Sequence, residues 1–331
     1  MNVKETVGID VGKITNEVFI HIAKKSKSFN NTEKGITSMV KWVLASTEYS
    51  KEEILFVFEH TGLYSYTLAA HLTEQGYLYT MLPGLEIKRS MGIVRGKDDK
   101  IDAKKIALYA YRRKDEIKTY RLPSDNIKEI RSLLSLRERL VKQRSGYKAS
   151  LGESKIFLKR KGSSTLFSVQ ERMIKELTKQ IDKVEKKVTD IVNKDENLKR
   201  LYKLITSIKG VGEQTALLMI GLTDGFTRFK TWRQFATYCG IAPFPNTSGI
   251  SIRGKTKVSN LANKRMKTLL DLCAKCSIQH NNEMKLYYER RLSEGKSKMS
   301  TINIIRNKLL SRIFAVVNRE TPYVDTLAYC S

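Results

Sequence analysis

The feature that most restricts the fold of this 331-residue chain is a seam of aliphatic residues near its middle. Ile174, Leu177, Ile181, Val184, Val188 and Ile191 follow one another at alternating steps of three and four, and Leu198, Tyr202 and Ile205 carry the spacing past a polar Asp195. A seven-residue repeat of this kind specifies a long helix buried along one stripe. Upstream, after the break at Pro123-Ser124-Asp125, the residues Ile127, Ile130, Leu133, Leu134, Leu140 and Val141 predict another helix, and the polar run KRKGSST (Lys159 to Thr165) separates the two. Antiparallel pairing within one chain and pairing between two chains both satisfy the seam. A coiled-coil arm is therefore expected over residues 123–203, as a spacer or assembly element rather than a place for chemistry.

The arm divides the chain. Residues 1–122 mix strands and helices: TVGIDVGKITNEVFIHIA reads as strand, Gly-marked turn and strand, while ILFVFE (Ile54 to Glu59) and YLYTML (Tyr77 to Leu82) are buried-strand runs, the second ended by Pro83-Gly84. Helical spacing around Thr37 to Leu44 and Tyr64 to Glu74 falls between them, so a mixed α/β sheet domain is expected. Residues 204–331 read as mainly helical, with one extended stretch at GIAPFPNTSGISI. Its entrance, helix then Gly210-Val211-Gly212 then helix, has the spacing of a helix–hairpin–helix turn, in which glycines bring backbone amides close to a DNA phosphate; a plain helix connector has the same spacing.

Charge narrows the partners. Lys+Arg 61 against Asp+Glu 34 leaves a formal net charge of +27, an excess that points to a polyanion, because each phosphate neutralised releases counterions. No run of eighteen or more apolar residues and no signal pattern is present, so nucleic acid is preferred to a membrane and the expected location is the cytoplasm, at the nucleoid. Cys239, Cys273, Cys276 and Cys330 supply no disulfide framework, and the pair Cys273 and Cys276 lacks the further ligands of a zinc site; they read as core residues. Phe229, Trp232 and Phe235 likewise read as helix core, and His60 as a structural histidine.

Four acids do not fit a surface pattern. Asp10 closes the first apolar run, Glu59 closes ILFVFE, and Asp99 and Asp102 open GKDDKIDAKKIALYA three residues apart, on one helix face. Carboxylates converging from two strand ends and a helix start suit two Mg²⁺ ions about 4 Å apart, the arrangement that clamps both oxygens in phosphodiester chemistry. Flanking Lys13, Lys97, Lys100, Lys104 and Lys105 read by default as solvated lysines, with leading phosphates in as the functional alternative. GIDVGKITNEV also resembles the first phosphate loop of the actin and sugar-kinase superfamily, but the second Gly-rich motif and the adenosine motif which that reading needs are not found.

Together, Asp10, Glu59 in FEHTG, and Asp99 with Asp102 in DDKIDAKKIA resemble the Asp/Glu/Asp/Asp tetrad of transposases of insertion-sequence family one-ten, relatives of the pilin-gene inversion recombinases. LITSIKGVGEQTA, FATYCGIAPFPNTSG and TKVSNLANKRMKTLL fall in the family's order, so the resemblance covers nearly the whole chain. It implies a ribonuclease H-like domain similar to Holliday-junction resolvases over 1–122, the coiled-coil arm over 123–203, and a C-terminal transposase domain over 204–331. It further implies a nucleophilic serine in a Ser-Gly pair after a Gly-x-x-Pro stretch, here Ser248-Gly249 after Gly240-Ile241-Ala242-Pro243, with Ser251, Ser259 and Thr247 as fallbacks. Arg253, Lys255, Lys257, Lys264 and Arg265 would hold the nucleic acid, with Gly210 and Gly212. The resemblance also implies an active site composed from both domains, a homo-oligomer (dimer or tetramer), double-stranded DNA as substrate and a guide RNA from the element. Where the family often has Lys-x-Gly-Asn, this chain has Asn260-Leu261-Ala262-Asn263. A junction-resolving nuclease that uses the acids alone, and a catalytically silent nucleic-acid-binding protein, are the alternative expectations.

Overall fold

A computed structural model describes residues 2–90, 99–158, 164–248 and 252–324. Lys97, Gly249, Ser251 and Cys330 lie outside the described residues. The chain forms two compact units, Met1–Leu122 and Pro123–Ser331.

The first unit is built on a five-stranded sheet of order β3-β2-β1-β4-β5: β1 (Glu5–Val11), β2 (Thr15–Ile20), β3 (Lys25–Asn30), β4 (Ile54–Glu59) and β5 (Leu78–Leu82). Strands β1, β2 and β3 pair antiparallel, whereas β4 and β5 run parallel to β1. The central strands β1 and β4 are buried almost throughout, which is why they read as continuous apolar runs rather than alternating ones. Helices α1 (Glu33–Ser46) and α2 (Leu63–Glu74) cover one face, where Ile36, Met39, Val43, Leu68 and Leu72 pack on Val7, Ile9, Phe56 and Phe58. Helices α3 (Gly84–Ser90) and α4 (Asp99–Arg112) serve the other, where Ile87, Ile106, Tyr109 and Ala110 pack on Leu55, Val57 and Leu82.

Sequence spacing did not foresee β3. KSKSFN is polar and mostly exposed, as suits an edge strand defended by lysines, and it forms because β2 offers a paired register from Thr15 opposite Asn30 to Ile20 opposite Lys25. The turn before it is held from below. Glu5 is wholly buried, and its carboxylate accepts from the backbone N–H of Thr6 (2.9 Å), Ile22 (2.9 Å) and Ala23 (3.3 Å).

The second unit opens with α5 (Asp125–Phe157) and α6 (Ser164–Lys194), which run antiparallel side by side. Cross-links step along the pair: Lys187 to Glu129 (3.3 Å), Arg137 to Glu185 (2.6 Å), Arg144 to Thr178 (3.3 Å) and Lys155 to Glu171 (2.8 Å). Exposed pairs of this kind contribute little; the buried seam of Leu177, Ile181, Val184, Val188 and Ile191 carries the packing. The seam does not continue as one helix past Asp195, contrary to its spacing. The Asp195 carboxylate caps a new helix, α7 (Glu196–Thr206), by accepting from the N–H of Asn197 and Leu198 (3.1 Å each), and also takes a bond from Asn126 (2.9 Å). Leu198 and Ile205 therefore face the helices that follow: α8 (Glu213–Thr223), α9 (Trp232–Tyr238), α10 (Lys264–His280), α11 (Asn282–Ser293) and α12 (Lys298–Arg319). Ile127, Ile130, Leu134, Val188 and Ile191 belong to that same core, so one core runs across the 203/204 boundary expected from the sequence.

Strands β6 (Pro243–Ser248) and β7 (Ile252–Val258) form a separate hairpin. Its root is fixed by α12, where Asn303 and Asn307 both donate to the Ile241 carbonyl (2.9 and 3.1 Å). Phe235 is fully buried with Phe229 and Trp232 packed against the same core. Cys239 and Cys273 are buried, and burial pushes the Cys239 thiol up to about 12, which removes it from nucleophilic chemistry.

Candidate functional site

The acids of the first unit share one rim of the sheet. Along β1, alternation puts Thr6, Gly8 and Asp10 on one face, and that face meets α4: Thr6 Oγ1 donates to the Ala107 carbonyl (3.0 Å), and a Cβ on Gly8 would lie 2.2 Å from the Ala103 carbonyl oxygen. Moving from Thr6 to Gly8 climbs the strand by roughly 6.6 Å, and the four residues from Ala107 back to Ala103 descend the helix by roughly 6 Å. The same step repeated sets the Asp99 turn level with Asp10. Strand β4 lies parallel to β1 with Gly8 opposite Val57 and Ile9 opposite Phe58, so Glu59 continues beside Asp10 on the α4 face.

Electrostatics agree with this placement. Burial raises the proton affinity of the half-buried Glu59 carboxyl, and the negative charge of Asp102 raises it further. Asp102 itself, in the first turn of α4, holds Lys105 at 2.7 Å. Glu17 on β2 stands directly opposite Asp10 in the antiparallel register, a fifth acid on the rim that no apolar run marks in the sequence. The hairpin count contained it: the pairing of Val11 with Asn16 makes Asp10 face Glu17. His60 does not join the acids by any bond seen here; its Nδ1 accepts from the N–H of Gly62 (3.3 Å) and its ring stands edge-on to Tyr66.

Among the described residues, no three His, Cys, Asp or Glu side chains stand close enough together to hold one ion. The donor set nevertheless has the chemistry of a hard divalent cation site: carboxylate oxygens only, with one carboxyl whose ionisation is opposed by its neighbour's charge, a cost that a cation relieves. A stability consequence follows for the metal-free chain. Because the folded state binds the Glu59 proton more tightly than the unfolded chain does, stability falls as pH rises from the ordinary carboxylate range through the raised value. Glu59→Gln removes that penalty, so thermal melts at neutral pH without divalent cations should place the variant above the wild type, with the gap closing as pH drops. A variant less stable than the wild type at neutral pH would contradict the assignment.

The serine singled out in the sequence lies in the second unit. Ser248 ends β6, its backbone paired with Ile252, and Thr247 pairs with Arg253. Gly240 is in the left-handed region (φ +66°), and a Cβ there would lie 2.2 Å from the Ala262 methyl, so the alanine that departs from the usual pattern is packed on the glycine of the Gly-x-x-Pro stretch. Lys255, Lys257 and Lys264 are exposed. Arg265 is not available in the same way. Its guanidinium bonds the Leu134 carbonyl (3.1 Å) and Glu138 (3.2 Å), tying α10 to α5, and burial lowers its pKa.

Gly210 is also accounted for by packing. It adopts φ +93°, and a Cβ would lie 2.1 Å from Ser277 Oγ, whose hydroxyl donates to the Lys209 carbonyl (3.1 Å). The glycine lets α10 pass closely, whatever binds outside. Gly212, the N-cap of α8, is exposed and has open space where its Cβ would be.

An α/β unit with carboxylates at the strand ends, joined to a helical unit in a chain of net charge +27, fits the class of proteins that work on nucleic acid. Residues 7–153 match the DEDD-type transposase family and residues 202–289 match the transposase family described as IS116/IS110/IS902. The chain is 27% identical over 331 residues to the pilin gene-inverting protein of Moraxella bovis, with 97% of this chain and 98% of that one aligned, and equally so to the pilin gene-inverting protein of Moraxella lacunata. It is 31% identical over 124 residues to an uncharacterised 43.6 kDa protein of the insertion element IS110 in Streptomyces coelicolor, covering 37% of this chain and 30% of that one. The chain belongs to the IS110 family of transposases and is a DNA recombinase. Transposases of the DEDD type generally depend on a divalent metal. No described helix is long and apolar enough to cross a membrane.

Proposed function

We propose that this protein is the recombinase of an insertion sequence, cutting and rejoining double-stranded DNA through a serine–DNA intermediate, with Mg²⁺ at the acidic rim and an element-encoded RNA choosing the sites. The observation that carries the metal half is the parallel register of β1 and β4, which sets Asp10 and Glu59 at neighbouring strand ends; burial and the charge of Asp102, which both raise the proton affinity of Glu59, agree with it. Asp10, Glu59, Asp99 and Asp102 would hold Mg²⁺, which stabilises negative charge on the reacting phosphate when bound. Sheet order β3-β2-β1-β4-β5, antiparallel then parallel, supports a ribonuclease H-like reading of the first unit. The paired α5 and α6 support a coiled-coil arm, and Gly212 at the start of α8 supports a helix–hairpin–helix type of phosphate contact.

In the serine half, the Ser248 hydroxyl oxygen attacks the phosphorus, an Oγ–P bond forms and the bond from phosphorus to one DNA oxygen breaks. The serine proton leaves to a base and the departing oxygen gains one, so the number of phosphodiester links is unchanged and the strand can be rejoined without a new energy source. Lys255 and Lys257 oppose the charge that builds on the phosphate. Arg253 has a place on the same strand. The protein is taken to act as a dimer or tetramer.

Asp10→Asn tests the metal half. Cleavage of element-end DNA should fall by about 100-fold or more, in the range that positioned electrostatic groups supply, while filter binding of the same DNA stays near the wild-type level. Wild-type cleavage by Asp10→Asn would remove the acids from the reaction.

A further inference from the structure

An open groove of about 680 Å³ lies beside the serine hairpin, walled by Thr237 and Tyr238 at the end of α9, Phe244 on β6, and Ser259, Leu261, Ala262 and Asn263 on the approach to α10. This is the size of a small-molecule site. Its polar side chains help to hold the walls. Asn263 donates to Tyr238 Oη (3.2 Å) and caps α10 through Met266 N–H (2.9 Å), Ser259 Oγ accepts from Leu261 N–H (3.1 Å), and Thr237 donates to the Arg233 carbonyl (3.1 Å). Two large apolar side chains remain in the open, Phe244 at 45% and Leu261 at 61% exposure.

We infer that this groove takes one unpaired nucleobase of the DNA strand on which Ser248 acts, stacked on Phe244. The inference rests on the transposase reading and adds a ligand subsite to it. Charge selects the occupant. From Gly225 to Leu270 the chain has no Asp or Glu and has nine Lys and Arg, of which Arg265 is held by Glu138; the excess repels a second copy of this segment, whereas a flat apolar ring carried on a phosphate backbone is attracted. Lys257 is the cross-strand partner of Phe244, Lys264 follows Asn263 in the chain, and Arg228 lies 5.3 Å over the Tyr238 ring. An aromatic face accepts any base, which suits an enzyme whose sequence choice is made elsewhere. Phe244 precedes Ser248 by four strand residues, roughly 13 Å, so the captured base lies within a few nucleotides of the attacked phosphate. A base in an intact duplex is stacked and cannot enter; the ligand is therefore a base already displaced from its partner.

The test is equilibrium binding of the full chain to three DNAs of one sequence: fully paired, with one unpaired nucleotide near the element end, and with an abasic residue at that unpaired position. The wild type should bind the unpaired base more tightly than its abasic twin by roughly 5- to 150-fold, the range of one base–aromatic stack. Phe244→Ala should equalise the two while leaving the abasic and fully paired affinities in place, and Phe244→Trp should restore the preference. Equal binding of base and abasic DNA by the wild type would overturn the inference. So would a Phe244→Ala defect shared by all three DNAs, a defect seen only in oligomeric state, or a preference seen with RNA and absent with DNA. Because no cleavage is measured, the result is independent of whether Ser248 is the nucleophile.

Discussion

Gly8→Ala is expected to unseat α4 and lower DNA cleavage by about 100-fold, although Gly8 touches no substrate. Its Cβ would lie 2.2 Å from the Ala103 carbonyl oxygen and 2.4 Å from the Ala107 nitrogen, both backbone atoms in the middle of α4, so no side chain can turn aside. The helix must lift away. Overpacking of this kind costs about 1–3 kcal/mol of stability, and the same lift carries Asp99 and Asp102 away from Asp10 and Glu59. A misplacement of about 1 Å in a positioned group can cost a factor of 100 in rate. Gly152→Ala is the control, since the same methyl group on α5 has nothing within 4 Å. Thermal melts and single-turnover cleavage of both variants decide the matter: wild-type cleavage by Gly8→Ala would mean that α4 does not position the acids.

Much of this arrangement was legible in the sequence because burial wrote it there. The bounds of β4 coincide with the run ILFVFE, and the spacing of Asp99 and Asp102 announced a helix start. What escaped had no hydrophobic signature. Strand β3 is an exposed edge that exists because β2 and the buried Glu5 carboxylate arrange it. The spacing of the seam runs on through Asp195 because Leu198 and Ile205 keep it, although a capping aspartate is where one helix ends and another begins. Arg265 sits in a basic run and looked like its neighbours, yet long-range partners Leu134 and Glu138 claim it. Gly210 looked like a phosphate contact; the nearby Ser277, far away in sequence, explains it by packing.

Ser248→Ala is expected to have the largest effect of all on the covalent chemistry, a complete loss of protein-linked DNA. The change removes one oxygen at the end of a hairpin strand whose backbone pairing with Ile252 does not depend on it. Folding and nucleic-acid affinity should therefore stay near wild type, because affinity comes from many phosphate contacts and falls with salt whether or not a nucleophile is present. A carboxylate-only nuclease would still cut DNA in this variant, releasing free ends. A silent binding protein would give neither cut nor linked DNA in the wild type.

The most direct measurement is a trapping assay. Purified protein is mixed with Mg²⁺, end-labelled element-junction DNA and RNA from the flanking non-coding sequence, and the reaction is run on a denaturing protein gel. A labelled band at the summed mass of protein and DNA, present in the wild type and absent in Ser248→Ala, is the predicted result. A band that persists in Ser248→Ala, or cut DNA that never joins the protein, would contradict the account.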